Sequence, residues 1–374
     1  MKRLFVLFFF FLFLLKFSSQ VLADGLPQNL QIQQWFEKGE VTQVLQSGEK
    51  EIAGQKNLFQ VLKVKILDGK EAGKELTIQQ GGDVLLSPQQ LVQVGDVVVV
   101  NGIKNMDGSY QYNIYDTYRA NTAMYIGIAF LLFVIFITGK KGIGALIGLT
   151  ISLAVILGFI VPQILANHDP LTVTILGSFV ILLLTTYLAH GFSKATSIAM
   201  VSSLTSLIIT GLLSLAFVTL LKLAGNGSED AVTLQLSGGV HVNLQGLLLS
   251  GIIIGTLGAL NDVTTTQVAS ILALNRSNPM LKYLQLAEEG FTIGREHILS
   301  LVNTLVLAYA GSSLAIFIFF VLNPSHLPYW VIFNSQLLQE EFVRTIAGSI
   351  GLIVAVPIST FLAAWFVKRI NIIR

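Results

Sequence analysis

Apolar and polar positions along this chain follow two different rhythms. Between residues 24 and about 118 the apolar residues fall in short β-branched runs with partial period-2 alternation: "VTQVLQ", "FQVLKVKIL", "KELTIQQ", "DVVVVNG" and "YQYNIYD". Alternation of that kind places one set of side chains on each face of a strand. The clusters "SGEKEIAGQKN", "DGKEAG", "GGD" and "NMDGS" separate the runs and carry the glycines and asparagines that turns require. Five short strands predict a small antiparallel β-barrel, with an OB-like arrangement as one form it could take. Barrels of that type often bind oligonucleotides or oligosaccharides, but these strands offer no evident aromatic or basic binding face. A docking or assembly module is the expected role, and fold alone does not assign more.

After Arg119 the rhythm gives way to long apolar stretches, at about 121–138, 143–166, 170–189, 195–222, 245–274, 298–322 and 343–367. Most reach the roughly 20 residues needed to cross a hydrocarbon core of about 30 Å. An α-helical polytopic membrane protein with seven transmembrane helices over residues 119–374 is therefore expected. Composition agrees: 53% of the 374 residues are hydrophobic and 12% charged, with a mean hydropathy of +0.72, against roughly 25% charged in an average soluble domain. The first residues add "MKR", the apolar "LFVLFFFFLFLL" and "VLA" ending at Ala23. That order matches a secretory signal peptide over residues 1–23, which places residues 24–118 outside the cytoplasm.

Loop charges test the orientation. With the N-terminal domain outside, the inner loops and tail hold Lys140, Lys141, Lys194, Arg276, Lys282, Arg295, Lys368, Arg369 and Arg374. Lys222 and Arg344 lie only at the edges of the outer loops. This is the asymmetry of the positive-inside rule, with the C-terminus in the cytoplasm. Between spans five and six, "SNPMLKYLQLAEEG" predicts a cytoplasmic amphipathic elbow over 278–291. Asn278 would be its N-cap, Pro279 would open it, Met280, Leu284, Ala287 and Phe291 would form its apolar face, and Gly290 would stop it.

The fifth span contains the chemistry. Within "GALNDVTTTQ" lies Asp262, the only ionisable residue well inside any span, about 25 Å along the helix from Gln245. A central aspartate costs about 2.5–3.5 kcal/mol on an insertion scale, and such residues mark ion, proton or substrate paths. Gly251, Gly255, Gly258 and Asp262 are spaced to share one face, which Thr265 and Thr266 continue. Close helix packing at the glycines would then point the carboxylate into a tight helix contact or a cavity beside one, and not into lipid. Oxygens of Asn261, Asp262, Thr265 and Thr266 could hold a monovalent ion or a proton, and Asn303 in span six is a further amide that needs a partner in oil. Arg295 and Arg344 sit at membrane edges. Glu340 and Arg344 form an i,i+4 pair there, and anchoring is their expected use.

Other chemistry is excluded. With no cysteine there is no disulfide, thiolate metal site or cysteine nucleophile. A second intramembrane aspartate is lacking, and His168, His190, His241, His297 and His326 lie in loops or at span ends without metal-ligand spacing. No Walker A sequence is present, and a net charge of +2 gives no case for nucleic acid. Neither enzyme activity, cofactor nor metal is expected.

"GTLGALNDVTTTQVASILAL", "NP", "FTIGREHILSLVNTLVLAYAGSSL" and "EEFVRTIAGSIGLIVAVPISTFLAA" resemble the YibE/F family of bacterial membrane proteins. The resemblance implies a bacterial plasma-membrane setting and the same order of signal, β domain and spans. It brings no site residues. The expected function is a secondary transporter or a subunit of a transport complex, for an ion or small solute, with Asp262 at the coupling site. The alternative is a non-transporting scaffold that docks an unknown protein partner through the N-terminal domain and the elbow. A weaker third reading makes "AEEGFTIGRE" the contact for a separate ATPase.

Overall fold

The computed structural model describes residues 33–52, 55–82, 86–105, 108–236 and 242–372. The expected signal peptide, His241 and Arg374 lie outside them. The chain forms two units, one of residues 26–136 and one built mainly of residues 137–374.

The first unit contains the five expected strands, β1 (Gln33–Ile52), β2 (Gln55–Ile66), β3 (Glu75–Gly81), β4 (Val97–Lys104) and β5 (Tyr110–Thr117). They form one antiparallel sheet in the order β3-β2-β1-β4-β5, curled into a half-barrel. β1 is the hinge of this curl, because its first half pairs with β4 and its second half with β2. Register shifts between Val41 and Gln43 and between Val44 and Gln46 mark where the strand bends. Alternate residues Val41, Leu62, Val64, Ile66, Ile78, Val98 and Val100 point inward and make the core. Helix α1 (Ala120–Thr138) follows β5 directly; past its first turn it is predominantly apolar, and no residue of it is buried.

The second unit is helical. Its elements are α2 (Lys140–Val155), a π-helical turn (Ile156–Ile160), α3 (Val161–Leu165), α4 (Pro170–His190), α5 (Lys194–Leu220), α6 (Glu229–Leu236) and α7 (Leu244–Ser277), then α8 (Tyr283–Ser312), α9 (Leu314–Leu322), α10 (Tyr329–Phe333) and α11 (Gln336–Ile372). Side-chain caps open several of these. Asp169 accepts from the amide of Thr172 before α4, Ser193 from Thr196 before α5, and Asn243 from Gly246 before α7. Helices α5, α7 and α11 pack mutually at the centre, with α4 against α7 and α8 against α11. Small residues allow this closeness: a Cβ on Gly351 of α11 would strike the Thr210 hydroxyl of α5, and one on Gly290 of α8 would strike Ile271 of α7.

Six helices are long and apolar enough to cross a membrane, and α8 with α9 makes a seventh if that pair, bent by 63°, is one span. The bend at Ser313 falls inside the stretch expected to run straight from 298 to 322. A second difference is the elbow. Residues 278–282 form a turn, and a continuous helix runs from Tyr283 past Gly290 to Ser312, so there is no separate helix over 278–291. Gly290 does not stop the helix; its missing side chain admits Ile271. The apolar face also differs, since Leu286 and Ala287 are buried while Met280 and Leu284 are exposed.

Candidate functional site

The polar segment of α7 is divided between two faces of one helix. Ile252, Ile253, Thr256, Leu260, Val263, Thr264, Gln267 and Ile271 are buried. Gly255, Gly258, Asp262, Thr266 and Ala269 are exposed, at spacings of three and four that keep them on one stripe. Gly251, half-buried, stands at the head of that stripe. The shared face expected for Gly251, Gly255, Gly258 and Asp262 is therefore present, but it is the open face. Asp262 is exposed there, so of the two settings expected for its carboxylate the tight helix contact is not the one found. The physical reason lies on the opposite side, where the bulkier apolar residues and the hydroxyls find partners on α5 and α11.

Those partners form a polar seam. Asn261, half-buried, accepts a hydrogen bond from Thr186 of α4 at 2.8 Å. The hydroxyls of Ser203 on α5 and Thr264 on α7 bond to each other, and Thr264 also donates to the carbonyl of Leu260. Deeper along the same face Gln267, 1% exposed, donates from Nε2 to the carbonyl of Gly290 on α8 and to the Thr360 hydroxyl on α11, each at 2.7 Å. One amide thus ties three helices. Sequence reasoning missed Gln267 as a structural centre, although a lone amide in an apolar run is the signal that could have found it.

The stripe runs along α7 between two neighbours. On one side Tyr309 of α8 leans in, its hydroxyl 3.0 Å from where a Cβ on Gly255 would lie, and that hydroxyl is buried with no hydrogen-bond partner. Arg344 of α11 lies 3.6 Å from the corresponding position on Gly251. On the other side stands α4, which ends at His190. Nothing lies within 4 Å of a Cβ on Gly258. Asp262 makes no hydrogen bond or salt bridge among the described residues. Thr265, half-buried, has its hydroxyl oxygen enclosed and unpartnered.

Other expected residues are not brought to this stripe. Asn303 is exposed on α8 and makes no hydrogen bond among the described residues, so the partnered amide expected there is not found among them. Arg295 is exposed, and its guanidinium lies 5.5 Å from the Phe291 ring. Arg344 pairs with Glu341 at 3.4 Å and not with Glu340. Glu340 is turned away, 5% exposed, and accepts from the amide of Gly227 in the turn after α5 at 3.0 Å. Glu341 also receives the Ser313 hydroxyl at 3.1 Å, which ties the bend between α8 and α9 to the start of α11. Among the described residues no cluster of three or more His, Asp or Glu could hold a metal ion.

The model of the YibE/F-like protein family matches residues 126–369, well over half of the chain. The chain belongs to the YibE/F-like family. The match covers every helix that carries the seam and the stripe. No curated protein matches, and no solved structure does. The geometry of this YibE/F-like chain is therefore the ground for a functional reading.

Proposed function

We propose that this YibE/F-like protein is a membrane transporter, or the membrane subunit of one, moving a proton or small monovalent cation with Asp262 as the coupling site. One observation carries the reading. A carboxylate near the middle of the longest apolar helix but one, α7, has no hydrogen bond or ion pair among the described residues to neutralise it. An acid left so in hydrocarbon is costly, and such residues face water-filled paths or exchange ions. The open space at Gly258, one turn before it, leaves room for a hydrated ion. Asn261 is committed to Thr186 and serves to fix α7 against α4.

The test is flux. Purified protein in liposomes, with a pH-sensitive dye inside and an imposed Na⁺ or K⁺ gradient, should show ion-dependent proton or cation movement. Asp262→Asn should abolish it and Asp262→Glu retain part, with both variants eluting as the native protein does. Undiminished flux in Asp262→Asn sinks the assignment.

A second reading rests on the same stripe. Gly255, Gly258, Thr266 and Ala269 present a small-residue surface of the kind that receives a partner helix, as a scaffold would need. Photo-crosslinking from position 258 would recover a defined partner on that reading. Wild-type flux with no crosslinked partner excludes it.

A further inference from the structure

We infer that the face of the β unit next to α1 is a lipid-headgroup surface, on which the bilayer's interfacial layer seats against Phe36, Tyr115, Tyr118 and Arg119. The sequence does not show the whole face, because Phe36 lies far along the chain from Tyr115, Tyr118 and Arg119 and is brought to them by strand pairing. β1 and β5 flank β4, so Phe36 and Tyr115 meet across it with ring centroids 5.2 Å apart, edge to face. They edge an open hollow of about 470 Å³, lined also by Val99, Thr117 and Ala120. Phe36 is 51% exposed and Tyr115 69%. Large aromatics left this open by a small β domain are a contact surface in want of a contact.

The position of the hollow says which contact. Ala120, on its rim, is the first residue of α1, whose 19 residues are predominantly apolar and none of them buried. The hollow therefore lies at the level where the chain passes from polar sheet to apolar helix. If α1 spans a membrane, as the reading above requires, that level is the headgroup layer. Tyrosine and its aromatic relatives concentrate there because the ring suits the acyl boundary and the hydroxyl suits water.

The charges fit a zwitterionic headgroup. Lys38 lies 4.9 Å above the Tyr118 ring and 3.6 Å from Asp68. Arg119 bonds Asp116 at 2.7 Å. Each cation thus has a carboxylate beside it, giving paired sites for a lipid phosphate and a lipid ammonium and no net positive patch to gather anionic lipid.

The cysteine-free sequence makes the test direct. Single cysteines at Phe36 and Tyr115 in the full chain, spin-labelled in phosphatidylcholine liposomes, report depth by their collisions with oxygen relative to a water-soluble nickel chelate. Leu131→Cys in α1 reports the bilayer interior, and Lys56→Cys on the β1–β2 hairpin reports bulk water. The expected oxygen-to-nickel ratio at 36 and 115 is several-fold above that at 56 and below that at 131. Added phosphatidylglycerol should leave it unchanged; a marked deepening would overturn the zwitterionic assignment. Ratios at 36 and 115 equal to that at 56, with 131 still oxygen-rich, overturn the proposal and leave the membrane reading standing. A water-like ratio at 131 overturns both. Asp116→Cys, on the exposed rim, gives the same readout should either aromatic prove necessary for folding.

Discussion

Asp262 and Gln267 stand on the same helix and have opposite surroundings. Gln267 has its amide shared between the Gly290 carbonyl and the Thr360 hydroxyl, whereas Asp262 makes no hydrogen bond or salt bridge among the described residues. A buried carbonyl stripped of its donor costs about 1–3 kcal/mol. Gln267→Leu should therefore lower the unfolding temperature measured in detergent, and an unchanged midpoint would show that the seam is not a tie. Asp262→Asn should leave that midpoint unaltered, since no contact is lost. In the β unit two surface carboxyls are held below their ordinary range, Asp116 chiefly by the hydrogen bond from Arg119 and Glu75 chiefly by that from Lys63. Because the folded value is lowered, whatever these pairs add to stability is complete above the ordinary carboxylate range. It fades as pH falls through the lowered values. Carboxyl-carbon NMR should find both still largely ionised where free Asp and Glu are half-protonated, at about 3.9 and 4.3; midpoints at those values would contradict the pairing.

At the level of elements, the strands and apolar helices were legible because alternation and length are properties of the local sequence. The direction of the α7 stripe was not. Its glycines and Asp262 do share one face, but either face of α7 could have been inside. Lipid is as apolar as leucine, so a membrane helix carries no amphipathic signal to choose between them. The choice was made by Thr256, Thr264 and Gln267, whose value depends on Gly348, Ser203 and Thr360 being opposite, residues distant in sequence. Gly290 misleads for the same reason: a glycine that ends one helix and a glycine that admits Ile271 look alike in one dimension. Close packing also separates two otherwise similar substitutions. Gly351→Ala forces a methyl onto Thr210 and should destabilise by about 1–3 kcal/mol. Gly258→Ala meets nothing within 4 Å and should be neutral in the same unfolding assay. Equal effects at the two positions would refute the packing described.

For the molecule as a whole, the loop charges make a prediction that needs no knowledge of substrate. Cysteines placed at Lys194 and Arg276 should be shielded from a membrane-impermeant maleimide added outside intact cells, and one at Glu229 should react. The reverse pattern would invert the orientation argued from lysine and arginine positions. The π-helical turn at Ile156–Ile160 carries a different consequence, for descent with insertion and deletion. It fits one more residue into a turn than an α-helix would, just ahead of Pro162, and delivers Ile160 onto the bare surface of Gly177. Removing one residue ahead of Ile160 would let the turn close into regular α-winding, with the segments on either side keeping nearly their present facing and Ile160 staying on Gly177. Chain length in this turn thus has slack that regular winding lacks: a one-residue deletion here should lower the unfolding midpoint less than one within α4, where it would swing the rest of the helix by about 100°.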